Sequence, residues 1–277
     1  MVSFQILSDI HLESPAAYDI FDIPAKATNL ALLGDIGNVR DPGFFPFIEA
    51  QLHKFRNVFF LLGNHEPYHS SWAEARYQIK EFSREVDKRA ERDPTLCLGK
   101  FVFLDQTRHD ISENVTVLGC TLYSHVSAEQ EERVSFGLND FYHIDSWTVG
   151  DHNNAHAADL AWLNDQVATV STSEPGRNIV IFTHHSPITR DARAVDPAHS
   201  GSAISSGFAS DLSGEECLKN ANVCMWAFGH THFNFDFTMH EGGGGGGDGG
   251  GMRIVSNQRG YYFKQAGDFD VGKVVTV

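Results

Sequence analysis

Val58-Phe59-Phe60-Leu61-Leu62-Gly63-Asn64-His65-Glu66 is an apolar run that breaks, at a glycine, into a carboxamide, an imidazole and a carboxylate. A short run of Val, Phe and Leu bounded by a turn residue reads as a buried strand. The same arrangement recurs along the chain. Val2–Leu7 leads into Ser8-Asp9-Ile10-His11, Leu30–Leu33 into Gly34-Asp35, Ile179–Thr183 into His184-His185, and Val223–Phe228 into Gly229-His230-Thr231-His232. Five strand ends thus deliver metal-ligating or proton-transferring groups, and in an α/β sheet ligands bind at strand carboxyl ends. Asp9 and His11 alternate with Ile10, so in an extended chain both point to one side; His230 and His232 do the same around Thr231. Any one of these pairs arises by chance, and a lone histidine is more often a satisfied core residue. All five in this order, each after a strand, point to one site.

Working outward, Phe101–Leu104 and Val115–Leu118 are further strands, with Phe233–Thr238, Arg253–Val255 and Val271–Val277 following late in the chain. Helical spacing predicts a helix over Ser71–Arg92, with Ser71 as cap, Glu74 three residues on and Pro94 as stop. Asn154–Val170, with Leu160, Leu163 and Val167 on one face, is a second; Pro46–Phe55 and Gly214–Asn220 are shorter ones. Strands alternating with helices early and strands in series late predict an α/β protein of mixed sheets covered by helices. Tyr123–Asn153 and Ser186–Ser213 read as long irregular rims. Gly242–Gly251, nine glycines around Asp248, reads as a flexible connection between two strands. Residues 1–277 read as one domain.

The chain has 277 residues, 42% of them apolar and 21% charged, the pattern of a folded protein. A formal charge of −15 argues against an extended nucleic-acid face or an anionic membrane as partner. No segment is long and apolar enough for a membrane span, and Met1–Ile10 lacks the basic start of a signal peptide. Cys97, Cys120, Cys217 and Cys224 include no close-spaced pair and are expected as four buried thiols in a reducing, cytoplasmic setting.

Imidazoles with carboxylates and one carboxamide suit Mn, Fe, Zn or similar ions rather than calcium. They are too many for one tetrahedral ion, and a carboxylate shared between two ions uses them all. The series Asp9-x-His11, Gly34-Asp35, Gly63-Asn64-His65-Glu66, His184 and Gly229-His230-Thr231-His232 resembles the pattern of the calcineurin-like metallophosphoesterase superfamily, across nearly the whole chain. The resemblance implies a four-layer αββα sandwich with two transition-metal ions at the strand ends. It places Asp9, His11, Asp35 and His232 on the first ion. Asp35 bridges to the second, completed by Asn64, His184 and His230, and His65 is the catalytic histidine. Two divalent ions less two carboxylates leave about +2, an anion trap inside an acidic protein. Two ions roughly 3.5–4 Å apart activate a hydroxide and brace an in-line displacement at phosphorus, while a histidine protonates the leaving oxygen.

The substrate reading is narrower. Protein phosphatases of the superfamily resemble G-D-x-x-D-R-G, whereas this chain has Gly34-Asp35-Ile36-Gly37-Asn38-Val39-Arg40. Val39 replaces an arginine that would clamp a monoester dianion, and Asn38 replaces the acid expected beside His65. The expectation is hydrolysis of a small phosphodiester such as a cyclic nucleotide. A small-molecule phosphomonoesterase is the alternative, and a non-catalytic binding protein on the same fold the second. Tyr68, His69, Tyr123 and His185 are the candidate substrate contacts, with Phe141 a further stacking ring. His53, His109, His125, His143, His152, His156, His199 and His240 read as solvated surface.

Overall fold

The computed structural model describes residues 1–199, 201–240 and 251–277. The strands are β1 (Ser3–Leu7), β2 (Asn29–Leu33), β3 (Asn57–Leu61), β4 (Lys100–Phe103), β5 (Thr107–Asp110), β6 (Val115–Gly119), β7 (Asn178–Phe182), β8 (Val223–Phe228), β9 (Phe235–Met239), β10 (Met252–Ser256), β11 (Gly260–Tyr261), β12 (Lys264–Gln265) and β13 (Val274–Thr276). The helices are α1 (Phe44–Leu52), α2 (Trp72–Arg92), α3 (Glu131–Gly137), α4 (Asp140–His143), α5 (Val149–Ser173) and α6 (Glu216–Lys219).

The run Asn29-Leu30-Ala31-Leu32-Leu33 explains the layering. It is buried along its whole length, so both faces of its sheet must be covered. Leu30 and Leu32 pack outward with Val58, Phe60, Phe44, Phe47, Ile79 and Val86, beneath α1 and α2. Ala31 and Leu33 turn inward, where Phe4, Phe59, Val117, Phe182 and Ala227 fill the space between two sheets. The second sheet sends Leu118, Ile181, Trp226 and Ile254 outward against Leu163, Val167, Val170 and Cys217 of α5 and α6. One sheet has the order β13-β1-β2-β3-β4 and the other β5-β6-β7-β8-β10-β9. In the first, β1 to β4 run parallel and β13 is antiparallel; in the second, β6, β7, β8 and β10 run parallel, with β5 and β9 antiparallel at the edges. These are two mixed sheets flanked by helices, the αββα sandwich expected. The parallel strands of each sheet end on one edge, and there the motif residues meet.

Several boundaries differ from the sequence reading. The stretch Tyr123–Asn153 holds α3, α4 and the first turn of α5. That helix starts at Val149 rather than Asn154 because Thr148 and Asp151 form a capping box: Thr148 Oγ1 accepts from the Asp151 N–H and Asp151 from the Thr148 N–H, both at 3.1 Å. After Val149 its buried stripe runs through His152, His156 and Asp159, polar residues that conceal helical periodicity. His152 and His156 are therefore buried, not solvated. The polar strand β5 and the hairpin β11–β12 carry no apolar run to announce them. The last strand is shorter than Val271–Val277, and β9 starts at Phe235. The glycine-rich stretch lies outside the described residues apart from Gly251; the strands on either side pair antiparallel, Met252 opposite Met239. All four cysteines are free thiols, but only Cys120 and Cys217 are buried; Cys97 is exposed and Cys224 partly so.

Candidate metal centre

Beyond their strands the motif residues leave extended geometry. Asp9, His11, Asp35, His230 and His232 all have φ between 47° and 69°, in the left-handed region that costs a non-glycine residue of order 1–3 kcal/mol. The side chains of Asp9 and His11 therefore converge because the chain turns, not because they alternate along an extended strand. Cross-loop hydrogen bonds hold the turns. The Asp9 N–H donates to the Gly34 carbonyl and the His11 N–H to the Asp35 carbonyl, each at 3.0 Å. The His230 N–H donates to the Asp9 carboxylate at 3.0–3.1 Å and the His232 N–H to Gln258 Oε1 at 2.5 Å. Glu66 ties two loops together by accepting N–H bonds from Gly63 at 2.7 Å, Ile36 at 2.8 Å and Asp35 at 3.0 Å.

The resulting centre holds two groups of donors, buried except for the partly exposed His232, and beside them a third formed by His11, Glu13 and His65. Asp9, His11 and His232 bring ligand atoms within 4.8 Å of one another, as do Asp35, His184 and His230. His11 Nε2 faces His232 Nε2 at 3.1 Å, an approach that leaves two imidazole lone pairs competing for one proton or one cation. Asp35 Oδ2 sits between the groups, 3.5 Å from His184 Nε2 and 3.9 Å from His11 Nε2. Asn64 Oδ1 lies 3.1 Å from His184 Nε2. His230 Nε2 is buried with no hydrogen-bond partner, an orphaned lone pair of the kind a metal takes. Burial pushes His230 down to about 3, with the neighbouring His184 charge adding to the effect. For His184 burial works the same way but is overcome by the carboxylate of Asp35, which lifts it to about 10. Desolvation raises and imidazole charge lowers the carboxyl of Asp35, which is held well below its ordinary range. The donor chemistry, the facing nitrogens and the orphaned lone pair all fit a pair of divalent ions.

His65 sits at the edge, its ring Nε2 4.0 Å from Asp35 Oδ2 and its backbone N–H donating to Asp35 Oδ1 at 2.8 Å. Burial opposes its charged form, but the charges of Asp35 and Glu13 outweigh that and raise it to about 9.

The candidate substrate contacts fare differently. Tyr68 is buried, stacked on His65 at 4.3 Å with its hydroxyl donating to Asp140 at 2.7 Å, so it supports the histidine. His69 lies on the rim, where Arg40 donates to its carbonyl and its ring meets His143. Tyr123 is a core aromatic, 1% exposed, between Trp72 and Trp147 and bonded to Arg76; its burial removes it from reach of a ligand. His185 is fully buried against His230 and Tyr123, with neither ring nitrogen hydrogen-bonded. Phe141 on α4 is partly buried beside Val134, Leu138 and Val149.

Three residues without an expected role complete the surroundings of the centre. Asp140 accepts from Asn64 Nδ2 at 2.8 Å and so aims the Asn64 oxygen at the centre. Tyr261, on the β11–β12 hairpin, stacks on His11 at 4.3 Å and places its hydroxyl 3.2 Å from His65 Nε2. Glu13 contacts His11 and His65. Glu13 continues the spacing Asp9-x-His11-x-Glu13, a signal legible beforehand; Asp140 and Tyr261 have none.

A two-sheet α/β sandwich with paired His and Asp clusters where its strands end is the arrangement of a metal-dependent phosphoesterase. Residues 3–234 match the calcineurin-like phosphoesterase family, and the chain belongs to that family. It is similar to an uncharacterized protein of Acanthamoeba polyphaga mimivirus, 25% identical over 277 aligned positions that span 92% of this chain and 90% of that one. Its fold is similar to that of the phosphopantetheinyl hydrolase of Mycobacterium tuberculosis, with a TM-score of 0.66 at 13% identity, covering 94% of this chain and 89% of the other. Among the described residues no helix is long and apolar enough to cross a membrane.

Proposed function

We propose that residues 1–277 form one phosphodiesterase domain acting on a small diester such as a cyclic nucleotide, with Asp9, His11, Asp35 and His232 holding one ion, Asp35, Asn64, His184 and His230 the other, and His65 serving as the proton donor. When bound, the two ions supply Lewis-acid charge at the phosphoryl oxygens and lower the pKa of water. The protein's own part is orientation. Asp140 fixes the face of the Asn64 amide, the Leu33 carbonyl fixes His184 through Nδ1 at 2.8 Å, and Tyr68 backs the His65 ring. His65 presents Nε2 to the centre, the atom from which a departing alkoxide takes its proton.

The observation that carries the diester reading is the fate of Val39 and Arg40. Val39 is buried in the apolar cluster with Phe44 and Tyr68, and Arg40 donates to the His69 carbonyl rather than entering the centre. A phosphomonoester dianion gains more from bidentate guanidinium contacts than a diester monoanion does. The −15 charge supports a small substrate over a polyanion, and four free thiols suit a reducing, cytoplasmic setting. The test is a rate comparison on metal-stripped protein reloaded with Mn²⁺, using bis-p-nitrophenyl phosphate, p-nitrophenyl phosphate and then 2′,3′- and 3′,5′-cyclic nucleotides. Preference for the diester is expected. Faster monoester hydrolysis would assign the centre to a phosphatase, and no turnover on any ester would make it a binding protein.

A further inference from the structure

A histidine that gives a proton to a leaving group needs a partner on its other nitrogen. Asn38, at the position expected to provide it, is turned away: its Nδ2 donates to the Tyr68 carbonyl at 2.8 Å and its Oδ1 accepts from the Arg40 N–H at 2.9 Å. A carboxylate arrives from the first loop instead. Glu13 Oε1 lies 2.8 Å from His65 Nδ1 and 3.2 Å from His11 Nδ1. The two imidazoles meet edge to face with centroids 4.4 Å apart, so one oxygen reaches both. Glu13 Oε2 is buried without a partner.

We propose that Glu13 is a positioning residue that sets His65 and His11 together, one carboxylate oxygen holding both rings with a proton on Nδ1 and both Nε2 atoms turned to the centre. The proposal deepens the phosphoesterase reading and rests on it for the part played by His65. An ionised carboxylate only accepts, so each nitrogen facing Glu13 carries hydrogen. His11 then offers a bare Nε2 beside His232 and Asp35, as a ligating histidine with a carboxylate behind it does. His65 offers Nε2 on the side of Asp35 and Tyr261. In the hydrolysis a water-derived oxygen bonds to phosphorus as the P–O bond to the leaving group breaks, the departing oxygen takes the Nε2 proton, and the imidazolium becomes neutral imidazole. The Nδ1–H bond to Glu13 persists throughout, so the ring ends in the correct tautomer and is reprotonated from water. Because the same oxygen fixes a metal ligand, the distance from proton donor to metal pocket is set by one side chain.

The test compares Glu13→Ala, Glu13→Gln, His65→Ala and the double variant Glu13→Ala/His65→Ala. Glu13→Ala is expected to slow a diester with an alkyl leaving group about 100-fold, the scale of general-acid catalysis, and to slow a p-nitrophenyl diester much less, because that leaving group needs no proton. With Mn²⁺ saturating, so that a weaker hold on His11 does not limit the rate, the Glu13 substitution in the His65→Ala background is expected to cost at most about 3-fold more, since residues acting as a unit are non-additive. Glu13→Gln keeps an acceptor oxygen in place and is expected to stay within about 10-fold of the parent, which separates orientation from a folding defect. Two readouts need no turnover. Long-range ¹H–¹⁵N spectra of Zn²⁺-loaded protein should show His11 and His65 protonated at Nδ1 and lose that uniformity in Glu13→Ala. One of two Mn²⁺ affinities should weaken about 10–100-fold. Unchanged tautomers together with unchanged leaving-group dependence in Glu13→Ala would overturn the proposal. If the parent hydrolyses no ester, the phosphoesterase reading fails, while the spectra and the Mn²⁺ affinities still decide what Glu13 does.

Discussion

Replacing Gly34 by alanine tests whether the loops after β2 and β3 are locked as closely as the centre requires. Gly34 has φ +87°, and a Cβ there would stand 2.5 Å from His184 Nδ1, 2.6 Å from the Gly63 nitrogen and 2.7 Å from the Gly63 Cα. Neither neighbour is free to give way. His184 Nδ1 is bonded to the Leu33 carbonyl at 2.8 Å, and the Gly63 N–H is bonded to Glu66 at 2.7 Å. The left-handed backbone costs alanine about 1–2 kcal/mol and forced overpacking about 1–3 kcal/mol. The expected loss is about 2–5 kcal/mol from a total that is typically about 5–15 kcal/mol. Urea unfolding of metal-free protein measures it, with Gly267→Ala as control, since nothing lies within 4 Å of a Cβ at Gly267. The control should stay within about 0.5 kcal/mol of the parent. Mn²⁺ binding should weaken in parallel with stability, because the displaced groups include His184. A Gly34→Ala protein within about 0.5 kcal/mol of the parent and binding metal normally would refute the reasoning.

Further outcomes follow from other parts of the centre. His65→Ala should retain the metal content of the parent by elemental analysis while slowing hydrolysis, most of all for poor leaving groups; loss of metal would mean that His65 is a ligand. Tyr261→Phe removes a hydroxyl that occupies His65 Nε2 in the resting protein, a bond worth about 1 kcal/mol net. It should raise kcat/KM up to about fivefold, whereas a fall would place the hydroxyl on the substrate. His152 is buried against His185, Tyr123, Phe141 and Trp147, and its Nε2 accepts from the Ser124 N–H. Burial, helped by the charge of His156, pushes its pKa from 6.5 down to about 3. Between those values the unfolded chain binds the proton that the folded chain refuses, so stability falls as the pH drops below 6.5, by up to about 1.4 kcal/mol per pH unit. Metal-free His152→Gln should show a shallower loss than the parent between pH 6.5 and 5; equal slopes would show that His152 is not the group responsible.

What could be read from the chain beforehand follows from how local each signal is. Strands such as Leu30–Leu33 and Val58–Leu62 are buried on both faces and announce themselves as continuous apolar runs. The chemical groups follow them directly in sequence, so Asp9, Asp35, Asn64, His184 and His230 were legible as a set before any contact was known. Asp140 was not, because its value lies in meeting Asn64 across 76 residues, and nothing around it in the chain marks that pairing. Tyr261 reaches His11 only through a short hairpin with no apolar repeat. The start of α5 was hidden by buried histidines that satisfy themselves on the backbone of Leu122 and Ser124. Tyr123 misled in the opposite sense: an aromatic in an irregular stretch looked available to a ligand, yet the turn carries it into the core beside two tryptophans. Glu13 lay in plain view as the next alternate residue after His11, and its partner His65 is the contact that sequence spacing does not give.

The most direct test is a Mn²⁺ titration of metal-stripped protein followed by the rate of bis-p-nitrophenyl phosphate hydrolysis. The two donor groups joined by Asp35 predict no turnover without metal and a rate that rises until two equivalents per chain are bound. A rate complete at one equivalent, or one that persists in the stripped protein with chelator present, would contradict the two-metal account.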